Sequence, residues 1–233
     1  MQVDVWSDVV CPWCYIGKRQ LEAALASFGH GGEVEVTWRS YELDPRAPAR
    51  REGDLVDLLA KKYGMSTDQA RAANERITGV ASGLGLDYRL EQAKPGNSFD
   101  AHRLVHLAGA HGLGDAMKER LFEAYFTDGL PIGDTDTLVA LGIEVGLPEG
   151  EVRDTLAGDA FADDVRADER QAGNLGITGV PFFVVDGTYG ISGAQPAEVL
   201  VEVLERAWSD AHPLVVTGGP ADGTSCSDDG CVA

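Results

Sequence analysis

Positive charge is scarce in this sequence. Its 233 residues hold 19 lysines and arginines against 38 aspartates and glutamates, a net charge of −19. Such a surface cannot displace counterions from a phosphate backbone and is repelled by anionic lipid, which argues against nucleic acid and membranes as partners. The charge is read as a solubility feature. Long apolar runs are missing as well: no stretch approaches the ~20 apolar residues that cross a bilayer. The opening Met1-Gln2-Val3-Asp4-Val5-Trp6-Ser7-Asp8 has no basic start and sets two aspartates where an apolar signal core belongs. The expectation is a cytoplasmic protein. Cysteine is sparse, four residues in all. Structural disulfides are rare in a reducing compartment, so these thiols are weighed as catalytic, redox-sensing or metal-binding groups.

A hydrophobic share of 44% beside 24% charged residues supplies a core without staples. The length suits one domain with a large insertion, or two small domains. Val3 to Trp6 reads as a first strand, with Val9-Val10 continuing the apolar run. Ile16 to Phe28 repeats apolar residues at helical spacing, and Val34, Val36 and Trp38 alternate as a strand. From Asp54 to about Leu175 the pattern is helical, with a capping box at Ser66-Thr67-Asp68-Gln69 and a break near Gly158. Strand character returns at Phe182-Phe183-Val184-Val185. Asp186-Gly187 signals a hairpin into Tyr189 to Ser192, and a last amphipathic helix runs from Pro196 to about Trp208. The order is β-α-β, a helical block, then β-β-α: an α/β thioredoxin fold with a large α-helical insertion. The expected division is 1–45 with 176–210 as the thioredoxin-like part, 46–175 as the inserted helices, and 211–233 as a flexible tail with a Cys-x4-Cys motif.

The chemistry concentrates at Cys11-Pro12-Trp13-Cys14. A thiolate attacks a disulfide, so such a site must stabilise the anion. With Cys11 at the N-cap and Pro12 at the first helical position, the N–H groups of Trp13 and Cys14 are expected to point at the Cys11 sulfur, aided by the helix dipole. Cys14, one turn in, resolves the mixed disulfide formed on Cys11. A bare C-x-x-C can be half of a zinc site, but one that follows an apolar strand and opens a long helix is far narrower. Gly179-Val180-Pro181-Phe182 adds a proline able to sit cis just before the returning strand. It would present the Val180 backbone beside the thiols, where a peptide can add as a strand.

These runs carry a resemblance. Trp6-Ser7-Asp8-Val9-Val10-Cys11-Pro12-Trp13-Cys14-Tyr15-Ile16-Gly17-Lys18, Asn97-Ser98-Phe99-Asp100-Ala101-His102-Arg103-Leu104 and Gly176-Ile177-Thr178-Gly179-Val180-Pro181-Phe182-Phe183 together resemble the FrnE-like branch of the DsbA superfamily. The resemblance covers residues 3 to about 208. It implies a thioredoxin fold with an inserted helical domain, dithiol–disulfide exchange at Cys11 and Cys14, a cis bond at Pro181, and His102 on an insertion that faces the thiols. Secreted DsbA proteins carry histidine where this chain has Trp13, and an indole stabilises a thiolate less than a cation does. The expected reduction potential therefore falls between those of thioredoxin (about −270 mV) and DsbA (about −120 mV).

The remaining residues are weighed against plainer roles. His102 and His106 have a metal-compatible spacing but lack supporting ligands, and no metal is expected. Trp6 and Trp38 read as strand core, although with Trp13 and Tyr15 they could line a peptide groove. Trp13 is expected to be exposed and, with Pro12, Val180 and His102, to meet substrate. Asp4 and Asp8 are possible proton acceptors for Cys14, with a turn-forming role favoured for Asp8. The run Asp159 to Arg170 reads as a solvated face. Cys226 and Cys231 stand four residues apart around the turn signal Asp229-Gly230, and are read as a second redox pair, a passive disulfide or a metal half-site. The expected function is a protein disulfide oxidoreductase or isomerase. Its partners are protein or peptide thiols and disulfides plus a cellular reductant or oxidant. No cofactor is called for, and glutathione is a candidate co-substrate. The alternative is a glutathione-dependent transferase or 2-hydroxychromene-2-carboxylate-type isomerase of the same superfamily, whose members resemble this chain but carry serine at the position of Cys11. A holdase or a four-thiol zinc module is the third class.

Overall fold

The computed structural model describes residues 1–213 and the backbone of 226–227 and 230–231. Strand β1 (Gln2–Ser7) leads into α1 (Pro12–Ser27), which crosses back to β2 (Glu35–Ser40). The two strands are parallel, with Val5 opposite Trp38, so a crossover helix is required between them. Seven helices follow: α2 (Leu55–Tyr63), α3 (Thr67–Gly83), α4 (Phe99–Ala110), α5 (Gly114–Phe126), α6 (Thr135–Val145), α7 (Glu149–Ala157) and α8 (Ala162–Asn174). The chain then returns to the sheet as β3 (Phe182–Val185) and β4 (Tyr189–Ser192) and closes on α9 (Ala197–Ala211). The sheet order is β2-β1-β3-β4, with β3 antiparallel to β1 and to β4. This is the α/β thioredoxin arrangement with helices inserted between its halves.

Local chemistry explains most boundaries. Ser66 and Gln69 form the reciprocal capping box that starts α3, and Asp54 and Asp134 cap α2 and α6 through their carboxylates. Asp186 (φ 46°) and Gly187 (φ 65°) both adopt left-handed backbone, the requirement of a two-residue hairpin turn between twisted strands. Period-2 burial splits β1 between two faces. Val3 and Val5 join the main core with α1 and with Leu200, Leu204 and Ala207 of α9, while Trp6 packs with Val184, Ile177 and Ala172 of α8.

One expectation is met here and one corrected. Val9 and Val10 lie in the turn after β1, and Asp8 forms that turn as expected: its carbonyl accepts the Cys11 N–H (3.1 Å) and its carboxylate accepts the Val10 N–H (3.3 Å). The run 159–170 is not merely solvated. Asp168 is 3% exposed and accepts hydrogen bonds from the Ser40 N–H (2.8 Å) and Arg39 (3.3 Å), while its main-chain carbonyl accepts the Trp6 indole N–H (2.9 Å). It fastens α8 to β1 and β2.

The expectation of a flexible segment after His212 falls largely on residues outside the described set. Within that stretch, Cys226–Ser227 (β5) and Gly230–Cys231 (β6) form a two-stranded antiparallel ribbon with Cys226 opposite Cys231. Among the described residues no helix is long and apolar enough to cross a membrane.

Candidate active site

The run Cys11-Pro12-Trp13-Cys14 sits where β1 stops and α1 starts. Cys11 is the N-cap in extended conformation (φ −92°, ψ 113°) and Pro12 opens the helix, where a missing N–H costs nothing. Both Cys11 and Cys14 are free thiols and both are buried, at 5% and 1% exposure, whereas Trp13 between them is 46% exposed. One detail of the expected capping does not hold. No helix N–H bonds the Cys11 sulfur, and the Cys14 N–H goes to the Cys11 carbonyl at 3.0 Å. A protonated thiol is a weak acceptor, and it serves here as a donor: Cys11 Sγ lies 3.6 Å from the Val180 carbonyl oxygen.

The Val180–Pro181 bond is cis. The Pro181 ring packs against Gly17 of α1 and its carbonyl accepts the Gly193 N–H at 2.8 Å. Pro181 is buried and Val180 and Pro12 are half-buried. From the irregular segment between α3 and α4, Tyr88 reaches over to donate to the Pro12 carbonyl at 2.6 Å, its ring stacked on Phe126. Burial raises Tyr88 well above the ordinary tyrosine range, with both cysteines adding to the effect.

Beneath the thiols lies a layer of buried ionisable groups. Burial pushes the Cys14 thiol well above its ordinary value, the neighbouring Cys11 adds to this, and Lys118 opposes it. Asp8 is fully buried. Burial would raise it, but His102 and the Leu43 N–H (2.7 Å) hold it below the usual carboxylate range. His102 Nε2 stands 3.5 Å from Asp8 Oδ1 and, like Ser7 Oγ, makes no hydrogen bond to protein. Burial and Lys118 lower the imidazole, outweighing Asp8. Lys118 of α5 has no exposed surface, and its ammonium donates to the Ser7 carbonyl at 3.2 Å.

The structure thus gathers Cys11, Pro12, Trp13, Cys14, His102, Val180 and Pro181 at one place. His106 turns elsewhere, to Asp168 (3.0 Å) and Ser40 (3.1 Å), so the pair four residues apart serves two separate acids. Asp4 is engaged by Arg39 at 2.7 Å. Trp6 and Trp38 are core, and Tyr15 is buried, stacking on Phe122 with its hydroxyl on Glu119. For Trp6 and Trp38 this is the strand-core position expected of them; for Tyr15 the groove reading is corrected, its ring being packed on Phe122 of α5. Nothing is described of the side chains of Cys226 and Cys231.

Tyr88 and Lys118 escaped the sequence reading. Tyr88 lies in an irregular segment with no period. Lys118 did leave a signal: positions 118, 121, 122 and 125 form one helical stripe, and Leu121, Phe122 and Tyr125 on it are buried. A lysine in that register is aimed inward.

Comparison with known proteins agrees with this architecture. The model of the DSBA-like thioredoxin domain matches residues 2–205. Uncharacterized protein YwbO of Bacillus subtilis (strain 168) is 31% identical over 212 residues, covering 90% of this chain and 96% of that protein. The crystal structure of the probable DsbA oxidoreductase SCO1869 from Streptomyces coelicolor is 45% identical, with a TM-score of 0.87 over 100% of this chain and 99% of that one. The cytosolic disulfide reductase DsbM from Pseudomonas aeruginosa, also solved with GSH, superposes with a TM-score of 0.62 at 22% identity, covering 88% of this chain and 99% of that one.

Proposed function

We propose, on the premise that the chain belongs to the DSBA-like thioredoxin domain family, that it is a protein thiol–disulfide oxidoreductase working through Cys11 and Cys14. One observation carries this reading. Both thiols are free at the first turn of α1, and Cys11 Sγ contacts the Val180 carbonyl that leads into β3. The Cys11 thiolate attacks a substrate disulfide and releases one substrate thiol. Cys14 then attacks the Cys11 sulfur, forms the Cys11–Cys14 disulfide and releases the second thiol. The substrate gains two electrons and the enzyme loses two; an oxidising partner runs the same steps in reverse.

Exposed Trp13 with Pro12 offers an apolar contact to the substrate chain. Val180 offers backbone hydrogen bonds of the kind used in strand addition, and Pro181 holds that loop against α1. His102 acts from below by keeping Asp8 ionised. Protein or peptide disulfides are the substrates, with glutathione as co-substrate; the GSH complex of DsbM supports the latter. We read the protein as cytoplasmic, a reading supported by the name of the same neighbour, a cytosolic disulfide reductase. A glutathione-dependent isomerase would leave Cys14 without a task, which favours the oxidoreductase. Cys226 and Cys231, opposite each other in their ribbon, are a second redox pair that exchanges electrons with Cys11–Cys14. An extended chain spanning ~3.3 Å per residue gives the tail the reach.

The test is reduction of insulin disulfides with glutathione as electron donor. Wild type is expected to turn over and Cys11→Ser to be silent. Turnover by Cys11→Ser at the wild-type rate would overturn the reading. Unchanged turnover in a Cys226→Ser/Cys231→Ser variant, with a protein reductant as donor, would remove the relay alone.

A further inference from the structure

Lys118 has no task in the steps above, yet it is costly to keep. Its ammonium is wholly buried, with the rings of Trp38 (5.7 Å) and Phe122 (5.3 Å) beside it and one hydrogen bond, to the Ser7 carbonyl. Among the described residues it forms no ion pair with a carboxylate. A methionine or leucine would fill the same volume without desolvating a charge. The ammonium is anchored one residue before Asp8, whose carbonyl holds the Cys11 N–H. The groups that bear on it electrostatically are Cys14 and Cys11 from α1, Asp8 from the turn after β1, Asp168 from α8 and His102 from α4.

We propose that Lys118 is the proton acceptor for Cys14 in the resolving step. This rests on the reading of Cys14 as the resolving thiol. When Cys11 is joined to substrate, the neutral Lys118 amine takes the Cys14 proton. The Cys14 thiolate, favoured by the positive charge of Lys118, attacks the Cys11 sulfur. The Cys11–Cys14 bond forms, the Cys11–substrate bond breaks, and the substrate sulfur leaves with the electron pair. The proton on Lys118 returns to solvent or to the departing thiolate.

The competing acceptors fit less well. Two backbone N–H groups and His102 hold the Asp8 carboxyl below its ordinary value against the effect of burial, a poor match for a thiol that burial makes less acidic. His102 turns its Nε2 to Asp8, and its basicity is reduced. Burial brings Lys118 down to about 8. Neutral amine is therefore present near neutral pH, the range in which a general base is effective.

The experiment follows 5,5′-dithiobis(2-nitrobenzoate) reacting with reduced protein by stopped flow, in a full-length Cys226→Ser/Cys231→Ser background. The first thionitrobenzoate released reports attack by Cys11 and the second reports resolution by Cys14. In Lys118→Met and Lys118→Gln the first phase is expected to keep its rate within about threefold. The second is expected to slow about tenfold or more near neutral pH, with its profile displaced upward by about one pH unit, each unit being tenfold. A second phase with unchanged pH profile in both variants overturns the proposal. If the second phase is equally fast in Cys14→Ser, the resolving role of Cys14 is what fails. A measurement on unsubstituted Lys118 stands independently of variant folding. Its side-chain 13C resonance is expected to titrate well below an ordinary lysine, and lower still in Cys14→Ser. An ordinary value, or one indifferent to Cys14, also overturns the proposal.

Discussion

A methyl group placed on Gly17 would come within 2.8 Å of Pro181 Cγ and 3.3 Å of the Phe183 ring. The contact joins α1, which carries both thiols, to the loop that carries Val180. Gly17→Ala must therefore push the proline ring or the helix aside. The expected outcome is a loss of about 1–3 kcal/mol, as for overpacking elsewhere, with the reaction at Cys11 slowed because its Val180 neighbour moves. Urea unfolding and the Cys11 alkylation rate measure the two effects. Wild-type values for both would show that the loop yields freely.

Cys14→Ser is expected to leave Cys11 able to attack but unable to let go. Mixed disulfides with substrate proteins should accumulate and appear on non-reducing gels. Cys11→Ser should trap nothing. Equal trapping by both variants would reverse the assignment of roles.

Asp168 ties α8 to the sheet through Ser40, Arg39 and His106. Asp168→Ala strands these donors in a largely buried setting, and a cost of about 3 kcal/mol is expected. Calorimetry on the full chain tests it; a loss under about 1 kcal/mol would mean that water replaces the carboxylate at little cost.

The buried acids and His102 set a direction for pH dependence. Asp8 and Asp168 have lowered folded values against an ordinary 3.8. Their stabilisation is present above pH 3.8 and is lost as pH falls through the folded values. His102 is lowered from 6.5. Below that pH the unfolded chain takes up a proton that the native state resists, so stability also declines as pH drops under 6.5. Urea midpoints should rise from acid to neutral pH, and His102→Gln should flatten the upper part of that rise. A midpoint independent of pH between about 4.5 and about 7 would contradict the burial of His102.

Lys118 works with the opposite consequence at neutral pH. Its folded value of about 8 lies below the ordinary 10.5. Below pH 8 the lysine is charged in both states and burial costs the native state in full; the cost fades as pH rises from 8 to 10.5. Lys118→Met is therefore expected to be more stable than wild type by about 2–3 kcal/mol near pH 7, even as it resolves disulfides more slowly. Thermal denaturation checks this; a destabilised variant would mean that the ammonium is better solvated than its burial implies.

The parts of this molecule that were legible in the sequence rest on chemistry between near neighbours. Pro12 behind Cys11 marks a helix start, Ser66 with Gln69 marks another, and Asp186-Gly187 marks a hairpin. What was not legible depends on contacts across the chain. Tyr88 bonds Pro12 from 76 positions away and Lys118 bonds Ser7 from 111. Asp168 looked like one acid among many in a charged run, and only the return of α8 to β2 buries it. The turn at Val9-Val10 was legible because Asp8 forms it with its own near neighbours, the N–H groups of Val10 and Cys11. Lys118 carried a sequence signal in its helical stripe with the buried Leu121, Phe122 and Tyr125, but a lysine breaks the apolar periodicity by which such a stripe is counted.

The order in which the site is strung along the chain has a consequence for a protein still being made. The thiols leave the ribosome first. Tyr88, His102 and Lys118 follow only with the inserted helices, and Val180 arrives 169 positions after Cys11. A nascent β1–α1–β2 segment therefore carries Cys11 and Cys14 without the Lys118 ammonium, the Val180 carbonyl or the Pro181 loop that surround them in the folded chain. The surroundings of the two thiols are assembled only once the second half of the sheet has been made.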